Sequence, residues 1–182
     1  MNFKETALPG VIRVTPTVFA DDRGYLMETW QARTFSDNGI DANFAQDNVS
    51  RSVRGTLRGL HYQIEQPQGK LVRVVQGKAF DVAVDLRRSS PNFGQWVGEV
   101  LSDENKHQLW VPPGFAHGFL VLSETAEFAY KCTDYYAPRF ERSIRWDDPD
   151  IGIEWPLKQG TGPILSGKDS AALSLKDAET YP

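Results

Sequence analysis

The sequence predicts an all-β protein, a sandwich or a barrel, with few and short helices. Short runs of apolar, β-branched and aromatic residues recur along the chain, and turn residues such as those at 112–114 separate them. In one run, residues 79–86, apolar side chains alternate with polar ones, which is the period of two of a strand with one apolar face. Many short strands joined by frequent turns are typical of sandwiches and barrels.

Eight strands are predicted from these runs, in chain order. They cover residues 11–14, 57–63, 71–75, 79–86, 96–101, 108–111, 118–122 and 127–133. Between the third and the fourth, Gln76-Gly77-Lys78 has the length and the glycine of a tight turn. We therefore expect these two strands to form a β-hairpin.

Two short helices are predicted outside the strands. Residues 29–38 are followed by Gly39, which suits the left-handed position beyond a helix C-terminus. Residues 166–178 begin with Ser166 and carry Asp169 three positions later, which resembles a capping box with Asp in place of Glu. This second segment is predicted to form a terminal helix.

Length and composition favour one globular domain spanning residues 1–182. Hydrophobic residues make up 40% of the chain, which is too many for a disordered protein, and no run approaches the roughly 20 apolar residues that span a bilayer. Residues 1–9 lack the apolar centre of a signal peptide. The single cysteine, Cys132, excludes an internal disulfide and fits a reducing compartment, so we expect a cytoplasmic protein with no membrane partner.

The charge distribution argues against a nucleic-acid partner and leaves two interpretations of one basic segment. The chain carries a net charge of −4, whereas the segment 51–73 contains one acid, Glu65, among several basic residues. The basic residues are Arg51, Arg54, Arg58, Lys70 and Arg73. This segment is either a solvated basic surface or a site for an anionic small molecule such as a diphosphate.

Two histidines fit part of the metal-binding pattern of cupin barrels. Gly55 precedes His61 at the spacing of that pattern, and His117 ends a matching Pro-x-Gly-x-x-His segment. The remaining ligand positions are occupied by Gln63 and Val121, and no glutamate follows Gln63 at the required spacing. Since a tight metal site needs three or four strong ligands, the pattern favours a barrel and disfavours a metal.

Several longer segments carry a resemblance to a known family. They are Asp22-Arg23-Gly24, Gln46-Asp47-Asn48, Leu57-Arg58-Gly59-Leu60-His61, Gln68-Gly69-Lys70-Leu71-Val72-Arg73, Phe80-Asp81-Val82-Ala83-Val84-Asp85, Pro113-Gly114-Phe115-Ala116-His117-Gly118-Phe119, Ala129-Tyr130-Lys131 and residues 166–169. Together they make nearly the whole chain resemble the dTDP-4-dehydrorhamnose 3,5-epimerase family. The resemblance implies a cupin-type jelly-roll β-barrel with a few short peripheral helices. It departs at Leu26, where the family usually has an aromatic residue.

The resemblance implies an epimerase that converts dTDP-4-dehydro-6-deoxy-D-glucose to dTDP-4-dehydro-L-rhamnose. A carbon beside the C4 ketone loses its proton, at C5 and at C3, and the proton returns on the opposite face. Such a reaction needs a base, an acid on the other face and a cation at the ketone oxygen. No redox cofactor is implied, because the substrate already carries the ketone.

The family implies four catalytic residues, and each also has an ordinary structural interpretation. His61 suits the base, because imidazole titrates near neutral pH, although a lone strand histidine is more often structural. Asp169 would orient that histidine, or merely cap a helix. Tyr130 shares a strand face with Phe128 and would be either the acid or a core tyrosine. Lys70 would stabilise the enolate, or be a solvated lysine.

The resemblance further implies a set of substrate-binding residues, each of which would otherwise be an ordinary loop or surface residue. Besides Lys70, they are Phe19, Arg23, Glu28, Gln46, Asp47, Asn48, Arg58, His117, Tyr136, Glu141 and Lys168. The guanidinium groups of Arg23 and Arg58 suit the diphosphate, because they bind phosphate oxygens in pairs. Phe19 and Tyr136 would hold thymine between their rings.

A homodimer is implied as well, because chains of this family usually exchange an N-terminal strand. In such a dimer Phe19, Arg23 and Glu28 would serve the neighbour's site. The substrate and a second copy of the chain are therefore the expected partners.

Three other functions stay open at this point. A relative can epimerise only C3 or only C5. A non-catalytic cupin can bind a sugar nucleotide, but it would have no use for His61, Lys70 and Tyr130 together. A metal-dependent cupin oxygenase is the third, and the incomplete ligand pattern disfavours it.

Overall fold

The computed structural model describes residues 1–158 and 160–182. Within these residues the chain forms thirteen strands and two short helices. The strands are β1 (Asn2–Glu5), β2 (Ile12–Thr15), β3 (Val18–Asp21), β4 (Gly24–Met27), β5 (Gln46–Val53), β6 (Leu57–Gln63), β7 (Lys70–Gln76), β8 (Lys78–Asp85), β9 (Trp96–Ser102), β10 (Gln108–Val111), β11 (Phe115–Val121), β12 (Thr125–Cys132) and β13 (Glu141–Ser143). The helices are α1 (Ala32–Ser36) and α2 (Gly167–Ser170), and a 3-10 turn covers Pro138–Phe140.

Two antiparallel sheets face each other and form a jelly-roll barrel, which confirms the predicted fold class. The larger sheet has the strand order β1-β2-β10-β7-β12-β5, and the smaller one has the order β13-β6-β11-β8-β9. Phe119 on β11 and Phe128 on β12 stack across the interior, with ring centroids 4.0 Å apart. The pair β3–β4 forms a separate hairpin outside both sheets.

Three apolar clusters stabilise this arrangement. The first fills the barrel between the sheets and includes Phe119 and Phe128. The second lies on the outer side of the smaller sheet, where Val82 and Val84 pack against Leu175 from the C-terminal segment. The third lies on the outer side of the larger sheet, beneath α1. Both sheets are therefore partly covered on their outer faces.

Most predicted strands are confirmed, and two of them, β6 and β10, have the predicted bounds. Five strands were not predicted: β1, β3, β4, β5 and β13. The hairpin strands β3 and β4 lack a buried face, so their sequences carry no alternation of the kind that marks a half-buried strand. Strand β11 begins at Phe115, so His117 lies within a strand and not in the turn before it.

The predicted hairpin at residues 76–78 is wrong. Strands β7 and β8 belong to different sheets, and the chain crosses between them at Gly77. Gly77 has a φ of 84°, and a Cβ atom there would lie 2.2 Å from the Thr125 carbonyl oxygen. Its N–H donates to Asp103 Oδ2 over 2.9 Å. The glycine therefore serves a tight crossing between sheets, a use that local sequence does not distinguish from a hairpin turn.

The predicted helices are shorter than expected. α1 covers only Ala32–Ser36. Gly39 lies beyond its end, and the φ of 83° at this residue matches the left-handed conformation predicted for it. α2 is a single turn with Ser166 as its N-cap, so the prediction of a helix over residues 166–178 is wrong. Beyond that turn the chain packs Leu175 against the smaller sheet, and the Leu175 N–H donates to Asp148. Tertiary packing thus overrides the local helical preference. Among the described residues, no helix is long and apolar enough to cross a membrane.

Candidate active site

The larger sheet contributes a row of polar side chains to the barrel interior. Lys70 on β7 and Gln46 on β5 both lie opposite Cys132 on β12. One row further along, Tyr130 pairs with Asn48. Residues directly opposite each other on neighbouring strands share a face. Tyr130 packs against the interior cluster, which confirms the strand face predicted for it.

The smaller sheet contributes a histidine held by a carboxylate. His61 on β6 lies with its Nε2 atom 2.5 Å from Asp169 Oδ1. The Ser166 hydroxyl donates to the other carboxylate oxygen over 2.7 Å and also accepts the Asp169 N–H. Ser166 therefore caps α2, and the Asp169 carboxylate is free to accept a hydrogen bond from His61. With Nε2–H donated to Asp169, His61 keeps its lone pair on Nδ1.

The electrostatics of Asp169 favour its charged form. Burial alone would raise the pKa of this carboxyl, but hydrogen bonds with His61 and Ser166 outweigh burial and lower the pKa below its ordinary value. An ionised Asp169 orients the imidazole of His61 and would stabilise an imidazolium at that position.

Tyr130 occupies the opposite sheet from His61 and keeps its proton. Burial raises the pKa of its phenol, and the charge of Arg58 partly offsets this rise. Arg58 on β6 donates its Nε–H to Ser52 Oγ over 3.0 Å, which holds the guanidinium beside the barrel interior. A protonated phenol on one sheet thus faces a histidine on the other.

Lys70 supplies positive charge between the two sheets. Burial lowers the pKa of its ammonium group, and the neighbouring Cys132, Glu141 and Asp81 act in the opposite direction. Burial in turn raises the pKa of the Cys132 thiol, so this group stays neutral near physiological pH. Lys70 is therefore an amine whose charge depends on the acidic groups around it.

The structure reveals one polar residue that the sequence analysis missed as part of the site. Asp81 on β8 is fully buried, and both its carboxylate oxygens lie 2.9–3.0 Å from Nε2 of His117. Burial raises the pKa of Asp81, and the charges of His117 and Lys70 oppose the rise. His117 lies opposite His61 on the neighbouring strand, so this pair belongs to the same interior.

The alternating run 79–86 contained the signal for Asp81, but it was interpreted as a strand with only one buried face. Both faces are buried: Val82 and Val84 lie in the outer cluster, whereas Ala83 lies in the barrel cluster. Because a buried carboxylate is costly unless it is paired, an acidic residue on the inner face of such a strand indicates a site.

The rim of the site is formed by three predicted residues that bond to one another. The Tyr136 hydroxyl donates to Glu141 Oε2 over 2.9 Å, and Lys168 Nζ lies 2.6 Å from Glu141 Oε1. Burial would raise the pKa of Glu141, but these two hydrogen bonds lower it. Lys168 precedes Asp169 on α2, so the rim and the His61 pair are parts of one connected network.

Four predicted binding residues are not brought into the barrel interior by this chain. Phe19 and Arg23 lie on the exposed β3–β4 hairpin, where Arg23 pairs with Asp21. Glu28 follows that hairpin and is exposed. Asp47 pairs with Lys131 over 2.9 Å on the opposite face of β5 from Asn48.

The basic segment 51–73 is divided by the fold. Arg51 and Arg54 are exposed, and Arg73 lies on the opposite face of β7 from Lys70. Lys70 and Arg58 are the members of the segment that lie beside Tyr130 and Cys132. The fold thus separates the solvated members of the segment from Lys70 and Arg58.

The cupin metal-ligand positions do not fit a metal ion in this chain. Nε2 of His61 bonds to Asp169, and Nε2 of His117 bonds to Asp81. The side-chain amide of Gln63 is already hydrogen-bonded to the backbone of residues 66, 135 and 137. Val121 packs in the barrel cluster. Over residues 1–158 and 160–182, no group of three or more His, Cys, Asp or Glu residues could hold a metal.

A carboxylate-bound histidine on one sheet and a protonated tyrosine on the other form an arrangement suited to acid–base chemistry, within a cupin-type barrel. The family model described as dTDP-4-dehydrorhamnose 3,5-epimerase matches residues 5–177. The chain belongs to this family.

Individual relatives agree with the family model. The dTDP-4-dehydrorhamnose 3,5-epimerase of Pseudomonas aeruginosa is 57% identical, with 100% of each chain covered. The Methanothermobacter thermautotrophicus enzyme of the same name is 52% identical, covering 98% of this chain and 97% of that one. A dTDP-6-deoxy-D-glucose-3,5-epimerase from Legionella pneumophila, solved in complex with dTDP-4-keto-L-rhamnose, has a TM-score of 0.94 and 52% identity, covering 98% of this chain and 94% of that one.

Proposed function

We propose that this chain inverts C3 and C5 of dTDP-4-dehydro-6-deoxy-D-glucose and so produces dTDP-4-dehydro-L-rhamnose. Relatives named for this 3,5-epimerisation match over the full chain, and one solved relative binds dTDP-4-keto-L-rhamnose. The observation that carries the proposal is the placement of His61 and Tyr130 on opposing sheets. Inversion requires that a proton leave one face of the sugar and return on the other.

In the proposed reaction His61 removes a proton from the carbon beside the ketone. The electron pair of the broken C–H bond forms the enolate, and its charge collects on the C4 oxygen. Tyr130 then donates its phenolic proton to the same carbon from the opposite face, which inverts the centre. Exchange with solvent returns His61 and Tyr130 to their starting states, and the cycle repeats at the second carbon.

The enolate oxygen needs a positive partner, and Lys70 is our assignment. Its ammonium group lies between the two sheets near Asp81, and the buried Asp81–His117 pair supplies a second polar group nearby. In a buried site such charges act more strongly than they would in water. Lys70 and His117 would together stabilise the charge that develops on the oxygen.

Binding of the nucleotide is assigned to the rim and to the polar row of the larger sheet. Arg58 would pair with the diphosphate, and Tyr136 would stack on thymine. The remaining contacts are assigned to Gln46, Asp47, Asn48, Glu141 and Lys168. The support for these roles is the family membership together with their position around the barrel mouth. For Asp47, which lies on the opposite face of β5, the support is the family membership alone.

We further propose a homodimer in which the β3–β4 hairpin of one chain completes the site of the other. The hairpin lies outside both sheets and exposes Phe19, whose side chain is 66% accessible. The outer face of the larger sheet also exposes Val49, Val53 and Val75, which is an apolar area suited to a second copy. Phe19, Arg23 and Glu28 would then act in the partner's site.

Two further assignments complete the proposal. Residues 1–182 would act as one catalytic domain, since β1 pairs in the larger sheet and the C-terminal segment covers the smaller one. A reducing compartment such as the cytoplasm suits the free thiol of Cys132.

The proposal is tested by running two variants in deuterated water with the keto-sugar substrate. His61→Ala should abolish label uptake at both C3 and C5, because no proton leaves, and should lower the rate by about 10²–10⁴-fold or more. Tyr130→Phe removes only a hydroxyl. His61 can still exchange a proton on its own face, so exchange should persist at one carbon at least, while net inversion falls.

Mass spectrometry and NMR of the product read label position and stereochemistry together. Near-normal epimerisation by His61→Ala, or unaltered inversion by Tyr130→Phe, would show that the acid or the base is misassigned. Label at one carbon only in the wild-type product would restrict the enzyme to a single centre.

A further inference from the structure

Three glutamine side chains bond to the backbone of four consecutive residues, 134–137, which follow β12. Gln68 Nε2 donates to the Asp134 carbonyl over 2.8 Å. Gln63 Nε2 donates to the Tyr135 carbonyl over 3.3 Å, and Gln63 Oε1 accepts the Ala137 N–H over 2.8 Å. Gln46 Oε1 accepts the Tyr136 N–H over 2.8 Å. We call Gln46, Gln63 and Gln68 the glutamine clamp.

Gln63 is the central member of the clamp. It is 4% exposed and lies on β6 two residues after His61, so its position is set by a buried strand of the barrel. Its Nε2 also donates to the Gln66 carbonyl over 2.8 Å, so both the donor and the acceptor groups of the amide are in use. A buried amide with every bond made to a loop backbone fixes that loop to the sheet.

The clamped segment carries Tyr136, which is 51% exposed although its backbone is held on both sides. Its hydroxyl is bonded to Glu141, so the ring is fixed at both ends. A ring held in this way needs no further ordering when a flat ligand stacks on it. Preorganisation of this kind raises affinity by reducing the entropy lost on binding.

We propose that Gln63 is a positioning residue for nucleoside-base recognition, acting through Tyr136. The proposal rests on the proposed function, in which Tyr136 stacks on the base of a thymidine diphosphate sugar. Gln63 occupies a position where the cupin pattern has a metal ligand, and its amide holds the base-binding loop there. It contributes to ground-state binding of the base and leaves the chemical step unchanged.

The test compares Gln63→Met with wild-type enzyme in binding dTDP and inorganic pyrophosphate by calorimetry. Methionine keeps the length of the side chain and removes both hydrogen-bonding groups. We expect the Kd for dTDP to rise about tenfold, as the loss of about 1.4 kcal/mol requires. The Kd for pyrophosphate, which has no base, should be unchanged. In steady-state assays KM should rise while kcat stays within about twofold.

Three further comparisons make the result decisive. Gln68→Met removes a less buried member of the clamp and should raise the dTDP Kd in the same direction, even if Gln63→Met folds poorly. Gln95→Met changes an exposed glutamine before β9 and should leave both Kd values unchanged. In a Tyr136→Ala background, Gln63→Met should add no further loss of dTDP affinity, because the ring through which it acts is gone.

An unchanged dTDP affinity in both clamp variants overturns the proposal. So does an equal loss of pyrophosphate affinity, or a full additional loss in the Tyr136→Ala background, since either result shows a general distortion of the site. If the wild-type enzyme does not bind dTDP, the proposed function itself fails. Normal dTDP binding by the wild type with no effect of the clamp variants refutes the clamp alone.

Discussion

At the scale of single residues, burial determines which protonation states the site can use. Lys70 has its pKa lowered mainly by burial, whereas burial raises the pKa of Tyr130. The pKa of Lys70 therefore lies below that of a free lysine, and the pKa of Tyr130 lies above that of a free tyrosine. Enolate formation and reprotonation require a phenol that keeps its proton, which the raised pKa of Tyr130 favours, and a charged amine, which for Lys70 depends on the neighbouring acidic groups.

Lys70→Arg tests the charge state of this amine. Since the folded-state pKa of Lys70 lies below its ordinary value of about 10.4, its positive charge is lost as pH rises through that lowered pKa. The wild-type kcat/KM should therefore fall at a pH below that ordinary value. Arginine keeps its charge throughout this range. Lys70→Arg should be less active, because the geometry differs. The pH at which its kcat/KM declines should nevertheless be higher than in the wild type.

The measurement is kcat/KM from neutral to alkaline pH, which reports ionisations of the free enzyme. An identical alkaline decline in wild type and Lys70→Arg would assign that ionisation to another group. Lys158→Arg, an exposed lysine beyond β13, is the matched control and should leave the profile unchanged.

At the scale of the element, α2 shows how one turn of helix serves the site. Ser166 caps the turn and bonds to the carboxylate of Asp169, which in turn holds His61. Lys168, on the same turn, joins the rim through Glu141. A helix of four residues has little stability of its own, so these side-chain bonds keep it in place.

Ser166→Ala should weaken both the helix cap and the support of the base. Loss of an N-cap costs about 1 kcal/mol, so the free energy of unfolding should fall by about that amount at neutral pH. The kcat should fall less than in Asp169→Ala, because Asp169 can still bond to His61. Denaturant unfolding at fixed protein concentration and steady-state kinetics measure the two effects.

The pH dependence of this stability loss has a defined sign. The folded-state pKa of Asp169 is lowered, so its carboxylate stabilises the fold above its ordinary pKa of about 3.9, and this contribution is lost as pH falls through the lowered value. The difference between wild type and Ser166→Ala should therefore shrink in acid. A difference that grew in acid would contradict the role given to Ser166. Ser36→Ala, at the exposed end of α1, is the control.

At the scale of the whole molecule, one chain does not bring all the predicted binding residues together. His61 and Tyr130 lie in the barrel, whereas Phe19 and Arg23 lie on a hairpin outside both sheets. If that hairpin serves a second chain, activity depends on assembly. Dilution below the dimer dissociation constant would then reduce activity without unfolding the barrel.

Mixed dimers test this exchange directly. Arg23→Ala and His61→Ala should each be weakly active alone. When the two are refolded together, half of the dimers are mixed, and one site in each mixed dimer has both residues intact. Activity should then recover to about one quarter of the wild-type value.

A mixture of His61→Ala with Tyr130→Phe is the control, because both residues lie in the same barrel and no intact site can form. A mixture of Arg23→Ala and His61→Ala that gains no activity over the separate variants would place Arg23 in its own chain's site, or outside any site.

Local patterns in the sequence determined the fold class and most of the barrel strands. Strands β6 and β10, which are largely buried, were predicted as short runs rich in apolar residues, and the inward face of Tyr130 followed from the period of two of a strand. The cap at Ser166 was also predicted, since capping depends on residues three positions apart.

The tertiary structure decided the features that depend on distant parts of the chain. The crossing at Gly77, the single turn of α2, the exposed β3–β4 hairpin and the burial of Asp81 all follow from which sheet or cluster lies nearby. The three glutamines of the clamp come from separate segments and meet only at residues 134–137. Periodicity reports which face of a strand is apolar, whereas only packing determines what that face meets.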